Sequence, residues 1–138
     1  MKVLVHVDGG ARGNPGPAAA AAVVSSTEGE VLDESSRYLG AVTNNVAEYK
    51  GLLLGLERAL ALGATEVQVI NDSELVAKQL KGIYRVKHEA MQRLHREARG
   101  VLENFEQWSI RTVPREQNSH ADALVNATLD QQRLAGAR

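Results

Sequence analysis

Apolar and polar positions alternate over residues 2–8, and this period of two predicts a β-strand that ends at Asp8. The alanine run at 18–22 favours a helix by propensity, but the prolines before it and the valines after it favour a strand. A Glu28-Gly29 turn separates this run from a second β-compatible segment at 31–39. The two segments therefore predict a hairpin.

A helical period replaces the alternation from Asn45 and ends at Gly63, a suitable C-terminal cap. The apolar positions with this spacing are Val46, Tyr49, Leu53, Leu56 and Leu60. Gly51 and Gly55 each weaken such a helix by about 1 kcal/mol relative to alanine. Close packing of the helix against a sheet is the expected reason for them.

Later segments continue in the same way, with strands predicted at 65–72 and 105–114. Helices are predicted at 73–82, 88–103 and 119–132, and Ser73 is the expected N-cap of the first. The order β-β-β-α-β-α-α-β-α indicates an α/β domain: an antiparallel meander joined to parallel units in a mixed sheet, with helices on its faces. We expect one domain at 1–131 and a flexible C-terminal tail at 132–138.

The composition excludes several classes of function but does not select a single one. The 138 residues are 43% apolar, enough for one core, and no apolar run approaches the ~20 residues of a membrane span. The absence of cysteine excludes disulfides, thiolate nucleophiles and cysteine-based zinc sites. A net charge of −1 does not by itself indicate a polyanionic partner. We predict a cytoplasmic protein without membrane association.

Basic residues are nevertheless concentrated between Lys78 and Arg99. The lysines and arginines of this basic segment are Lys78, Lys81, Arg85, Lys87, Arg93, Arg96 and Arg99. The segment is either a solvated helix face or a surface that contacts phosphates, and charge alone does not separate the two.

Four acids stand where strands end or helices begin: Asp8, Glu48, Asp72 and Asp122. The spacings Asn45 to Glu48 and Ser119 to Asp122 also fit capping boxes, and Asp72 also fits a turn. Asp8 is harder to explain in this way, because an unpaired carboxylate inside a sheet is costly.

Taken together, these acids can converge on one edge of a mixed sheet. Carboxylates gathered in one place repel each other unless cations lie among them. Oxygen ligands favour Mg²⁺ or Mn²⁺ over zinc. Two such ions can activate a water and stabilise the leaving oxygen of a phosphodiester, which is nuclease chemistry.

Four segments of the chain carry a family resemblance: "DGGARGNPGPAAAAAVV", "TNNVAEYKGLLLGLERAL", "NDSELVAKQLKG" and "VPREQNSHADALVNA". In this order they resemble the type 1 ribonuclease H family over essentially the whole chain, in its compact bacterial and archaeal form. The resemblance implies a five-stranded mixed sheet of order 3-2-1-4-5. It also implies cleavage of the RNA strand of RNA–DNA hybrids with two ions, leaving 5′-phosphate and 3′-hydroxyl ends.

The resemblance further assigns roles to residues. Asp8, Glu48, Asp72 and Asp122 are implied to be catalytic and to bind the metal, with Asp8 shared between the ions. The implied substrate contacts are Gly9, Gly10, Asn14, Thr43, Asn44, Asn45, Glu74 and Arg115. This chain has Glu74 where the family often has glutamine, so it departs from the family pattern at this base contact. Capping is an alternative role for Thr43, Asn44 and Asn45, and an ordinary turn is the alternative for Asn14.

Two departures from the family pattern stand out. The flexible loop that often carries a histidine before the last acid is nearly absent, which leaves His120 as a possible auxiliary residue. The basic protrusion that grips the DNA strand is also missing, so we expect weaker, salt-sensitive hybrid binding. A catalytically silent hybrid-binding module and another nuclease of the same fold are the alternative functions. A monomer is expected.

Overall fold

Five strands form one mixed sheet in the order β3-β2-β1-β4-β5 in the computed structural model, which describes residues 1–136. The strands are β1 (Lys2–Ala11), β2 (Gly16–Ser26), β3 (Val31–Val42), β4 (Glu66–Asn71) and β5 (Gln107–Thr112). The helices are α1 (Asn44–Ala61), α2 (Glu74–Leu80), α3 (Glu89–Leu102) and α4 (Ser119–Gly136), and a 3₁₀ turn (Arg115–Asn118) precedes α4. The predicted fold class and strand order are confirmed.

The central strand β1 separates from β4 before it ends. Its antiparallel pairing with β2 continues to Ala11, whereas its parallel pairing with β4 stops at His6 and Ile70. Asp8 and Asp72 follow these last paired residues. Ligands of open α/β sheets bind where neighbouring strands diverge at their carboxyl ends. The sheet therefore opens beside two of the four acids.

Helices cover both faces of the sheet, and the alanines of β2 face both layers. Ala22 and Val24 belong to the main core beneath α1, whereas Ala19 and Ala21 pack with Val125 of α4. All five alanines from 18 to 22 are almost completely buried. Small side chains on both faces of β2 leave room for the helices to approach, which explains why alanines form this strand.

Glycines bring the backbone of α1 directly onto β1. A Cβ atom at Gly55 would lie 2.6 Å from Cγ1 of both Val5 and Val7. Side chains at Gly9 and Gly51 would collide with backbone, at the Ala47 carbonyl and the Asp8 carbonyl respectively. The predicted reason for the glycines of α1, close packing against a sheet, is confirmed.

Several predicted boundaries need correction; the strand predicted at 31–39, for example, continues to Val42 as β3. β1 continues through Gly9 and Gly10 to Ala11, because β2 still pairs with it there. α1 begins at Asn44 rather than Asn45, with Thr43 as its N-cap. α4 runs to Gly136, so residues 132–136 are helical where a flexible tail was predicted; residues 137 and 138 of that tail lie outside the described residues. None of the helices within residues 1–136 is sufficiently long and apolar to cross a membrane.

Candidate active site

The four acids come from four different elements and line one cavity of about 270 Å³. Asp8 lies on β1 and Asp72 directly follows β4, whereas Glu48 and Asp122 lie in the N-terminal parts of α1 and α4. Gly9, Gly10, Asn44 and Arg115 line the same cavity. The convergence expected from the sequence is therefore seen, together with half of the implied substrate contacts.

Asp8 is the most perturbed of the four carboxylates. It is 9% exposed. Burial first and the charge of Asp72 second raise its pKa to about 7; a hydrogen bond from the Gly9 backbone lowers it, and the charge of Asp122 and a hydrogen bond with that residue make smaller raising contributions. The folded protein therefore holds this carboxylate in surroundings that favour the proton, or another cation, over the free anion.

Glu48 is oriented by two side-chain donors. Asn44 Nδ2 donates to Oε1 at 3.0 Å, and Ser73 Oγ donates to Oε2 at 2.6 Å. Burial raises its pKa, and these two hydrogen bonds act in the opposite direction. Because the cap of α1 is Thr43, whose Oγ1 accepts from the Val46 amide at 3.3 Å, the capping-box interpretation of Glu48 is wrong.

Asp72 lies between opposing influences. Burial raises its pKa, the positive charge of Arg115 lowers it, and Asp122 raises it further. Arg115 Nε lies 3.9 Å from Asp72 Oδ2, and its side chain is 80% exposed. On the other side of the cavity, Asn126 Nδ2 donates to Asp122 Oδ2 at 3.4 Å. An arginine this exposed can still reach a ligand while it remains beside the acids.

The donor set of the cavity fits a hard divalent ion. All four acids supply oxygen, and the raised pKa values of Asp8, Glu48 and Asp72 show that nearby negative charge and burial disfavour their free anions. Within residues 1–136, no three His, Asp or Glu side chains are arranged to hold one ion together. Mg²⁺ is usually held by only one or two carboxylates, with water and substrate phosphate completing its octahedron. Pairs of these acids are therefore sufficient.

The remaining implied contacts lie elsewhere. Asn14, Thr43 and Asn45 line a second cavity of about 300 Å³, together with His88 and Met91. Asn14 Oδ1 accepts a hydrogen bond from the backbone N–H of Asn44 at 3.0 Å. Asn44 Oδ1 accepts one from the backbone N–H of Ala11 at 3.2 Å. These bonds join the glycine-rich turn to the start of α1.

Glu74 and His120 are not brought to the acids. Glu74 is 67% exposed and binds Lys78 at 2.7 Å. His120 Nε2 lies 3.2 Å from Glu34 Oε2 of β3. The His120 side chain therefore points away from the acids.

Part of the basic segment has structural partners. Arg99 donates to the Leu80 carbonyl at 2.7 Å, and His95 Nε2 lies 3.1 Å from the Gln79 carbonyl. Both contacts join α3 to the end of α2. The exposed lysines and arginines of the segment are Lys81, Arg85, Lys87, Arg93, Arg96 and Arg99 itself.

Sequence reasoning missed four residues of the site. Ser73 was expected only as an N-cap, although it also binds Glu48. Arg12 and Asn126 line the cavity, and Asn118 lies buried behind it. The spacing of four from Asp122 to Asn126 places both on one face of α4, so helical periodicity could have found Asn126.

Comparison with known proteins decides the family. Residues 6–128 match the family model described as "Reverse transcriptase-like". The crystal structure of RNase H1 from the halophilic archaeon Halobacterium salinarum superposes with a TM-score of 0.93 at 41% identity, covering 95% of this chain and 99% of that one. The chain belongs to the ribonuclease HI family. Another ribonuclease HI structure, LC11-RNase H1 in complex with an RNA/DNA hybrid, has a TM-score of 0.90 at 38% identity, with 94% and 98% covered.

One curated relative is a longer protein than this chain. The bifunctional protein Rv2228c of Mycobacterium tuberculosis is 46% identical over 131 residues, which cover 94% of this chain. The chain spans only 36% of that protein's length. The similarity therefore concerns one domain of the relative.

Proposed function

We propose that this chain is a metal-dependent endoribonuclease that hydrolyses the RNA strand of RNA–DNA hybrids. The convergence of Asp8, Glu48, Asp72 and Asp122 in one cavity carries the proposal. A ribonuclease HI structure of 38% identity that holds an RNA/DNA hybrid supports the substrate.

The four acids would hold two ions, Mg²⁺ or Mn²⁺. When bound, these ions supply an activated water as nucleophile and stabilise the leaving 3′-oxygen. Asn44 and Ser73 keep both oxygens of Glu48 oriented in the cavity. The products would carry 5′-phosphate and 3′-hydroxyl ends.

Substrate recognition would involve both cavities. Gly9 and Gly10 line the cavity beside the acids, where their backbone would meet the 2′-hydroxyl groups that distinguish RNA from DNA. Arg115 would contact a phosphate, because its exposed guanidinium lies beside Asp72. Asn14, Thr43 and Asn45 would hold the duplex at the neighbouring cavity. The cytoplasmic location and the monomeric state stay predictions.

A cleavage assay with Asp72→Asn tests the proposal. Wild-type protein should cut the labelled RNA of a hybrid with Mg²⁺ or Mn²⁺, and the substitution should lower the rate by a factor on the order of a hundred or more, because it removes a carboxylate that would hold an ion. Hybrid binding should stay equal or become tighter, since a negative charge facing phosphate is lost. Glu57→Gln, an exposed carboxylate outside the cavity, is the matched control. Activity of Asp72→Asn near that of wild type would refute the role of the acids.

The same assay separates the alternative functions. A hybrid-binding module would bind the duplex in both metals and leave the RNA intact. A nuclease of different specificity would cut a DNA duplex and spare the hybrid.

A further inference from the structure

One buried side chain, Asn118, contacts the separated strands behind the acids. It is 1% exposed and ends the 3₁₀ turn that leads into α4. Its Nδ2 donates to the Val7 carbonyl at 2.9 Å, across 111 residues of sequence. Val7 directly precedes Asp8 and lies just beyond the last paired residue between β1 and β4. Asn118 thus supplies a donor where the ladder has stopped supplying one.

The second neighbour of this amide is Asp72. Burial raises the pKa of Asp72 and the charge of Arg115 lowers it; a hydrogen bond from Asn118 also lowers it, as the smallest of these influences. Both neighbours, a carbonyl and a carboxylate, are acceptors. The amide nitrogen must therefore face them, and its two protons can serve both.

The other end of the side chain has no partner. Asn118 Oδ1 is one of two buried side-chain oxygen or nitrogen atoms within residues 1–136 that make no hydrogen bond. A buried acceptor without a donor is unfavourable. An apolar side chain would fill this position without burying an unpaired oxygen. The hydrogen bonds donated by the amide nitrogen therefore explain why an asparagine is found here.

We infer that Asn118 is a positioning residue, which holds Asp72 against β1 and fixes the start of α4, and thereby sets the spacing of Asp8, Asp72 and Asp122. The inference rests on the proposed function for the use of that spacing, which is to receive divalent ions. Asn118 itself does not line the cavity.

Mn²⁺ binding without substrate tests this inference directly. Measured by calorimetry in the absence of hybrid, Mn²⁺ affinity should fall at least tenfold in Asn118→Ala. In the cleavage assay, kcat should fall by more than tenfold while KM for the hybrid changes less than threefold, and added Mn²⁺ should restore part of kcat.

Gln79→Leu is the matched control for the loss of a buried amide. Gln79 is 6% exposed, and its Oε1 accepts from Tyr49 Oη at 2.6 Å, away from the acids. Its substitution should lower the melting temperature and leave Mn²⁺ affinity unchanged. Equal effects of Asn118→Ala and Gln79→Leu on Mn²⁺ affinity would overturn the inference, since they would leave Asn118 only a structural role.

A double-mutant cycle separates action through Asp72 from general loosening. Once Asp72→Asn is present, adding Asn118→Ala should change Mn²⁺ affinity less than twofold. An undiminished tenfold effect in that background would overturn the inference. Asn118→Asp, similar in size, should weaken Mn²⁺ binding even where Asn118→Ala unfolds, because it sets a carboxylate against two acceptors; unchanged affinity would count against the inference.

Failure of this inference and failure of the proposed function give different results. A wild type that binds Mn²⁺ but leaves hybrids intact would refute only the proposed function. A wild type that cleaves hybrids and binds Mn²⁺ equally well with and without the Asn118 amide would refute only the positioning role. A wild type that binds no Mn²⁺ without substrate would also overturn the positioning role.

Discussion

Neutralising Asp8 should stabilise the metal-free protein, and the gain should depend on pH. The folded-state pKa of Asp8 is raised from 3.8 to about 7, chiefly by burial and by the charge of Asp72. Between these two values the folded state holds more protons than the unfolded state, so stability falls as pH rises. A difference of roughly 3 units at 1.36 kcal/mol each amounts to about 4 kcal/mol. This is an upper limit, because neighbouring acids share the proton.

The assay is urea denaturation in EDTA, comparing wild type with Asp8→Asn. At pH 3 the two proteins should have nearly equal free energies of unfolding, because folded and unfolded Asp8 are then both largely protonated. At pH 8 the variant should be more stable by up to about 4 kcal/mol. Added Mg²⁺ should stabilise wild type at pH 8 more than it stabilises the variant, because it binds the folded carboxylates. A stability difference that is independent of pH would refute the reasoning.

Asp33→Asn provides a control of opposite sign. Arg58 donates to both carboxylate oxygens of Asp33 at 2.8 and 2.7 Å, and these hydrogen bonds lower the pKa of Asp33. A lowered pKa contributes stability that is present above 3.8 and lost as pH falls through the folded-state value. The variant should therefore lose about 1 kcal/mol at pH 8, the upper range for an exposed pair, and progressively less in acid. A gain at pH 8 would contradict this.

Three further predictions concern the auxiliary histidine, the glycines and the substrate. His120→Ala should change kcat less than threefold, because its partner is Glu34 and not an acid of the cavity; a loss as large as that of Asp72→Asn would contradict this. Gly55→Ala should destabilise the fold by about 1–3 kcal/mol, measured by urea denaturation, because the new methyl group would overlap Val5 and Val7. This steric cost should exceed the gain in helix propensity, and an unchanged midpoint would refute the packing argument. Hybrid binding measured by fluorescence anisotropy should weaken steeply between 50 and 200 mM salt, roughly as expected for phosphate contacts, and a flat response would exclude them.

Periodicity and local signals predicted the elements well because most local preferences agree with the fold. The alanine run is the instructive exception, since helix propensity opposed the strand. The flanking prolines and valines correctly indicated a strand. The alanines form a strand despite their helix propensity because both faces of the strand are buried. The strand order itself came from the family resemblance, because element order alone does not fix which strands are neighbours.

The sequence could not predict which side chains form hydrogen bonds with each acid. The capping box from Asn45 to Glu48 has the right spacing, yet Thr43 caps the helix and the Glu48 side chain turns to Ser73, 25 residues away. The role of Asn118 depends on a contact across 111 residues, which no local pattern encodes. At the C-terminus, helix propensity carried α4 past the last buried residue, Leu129, through exposed positions to Gly136.

The direct contact between α1 and β1 bears on how this domain could be re-engineered. Ala47 and Gly51 touch the main chain of Gly9 and Asp8 without an intervening side chain. The distance between the segments that carry Asp8 and Glu48 is thus set by direct van der Waals contact between two backbones rather than by the volume of intervening side chains. Core substitutions elsewhere can alter melting temperature while the two carboxylates keep their separation, so a designer can vary thermostability independently of catalytic geometry as long as these glycines are untouched.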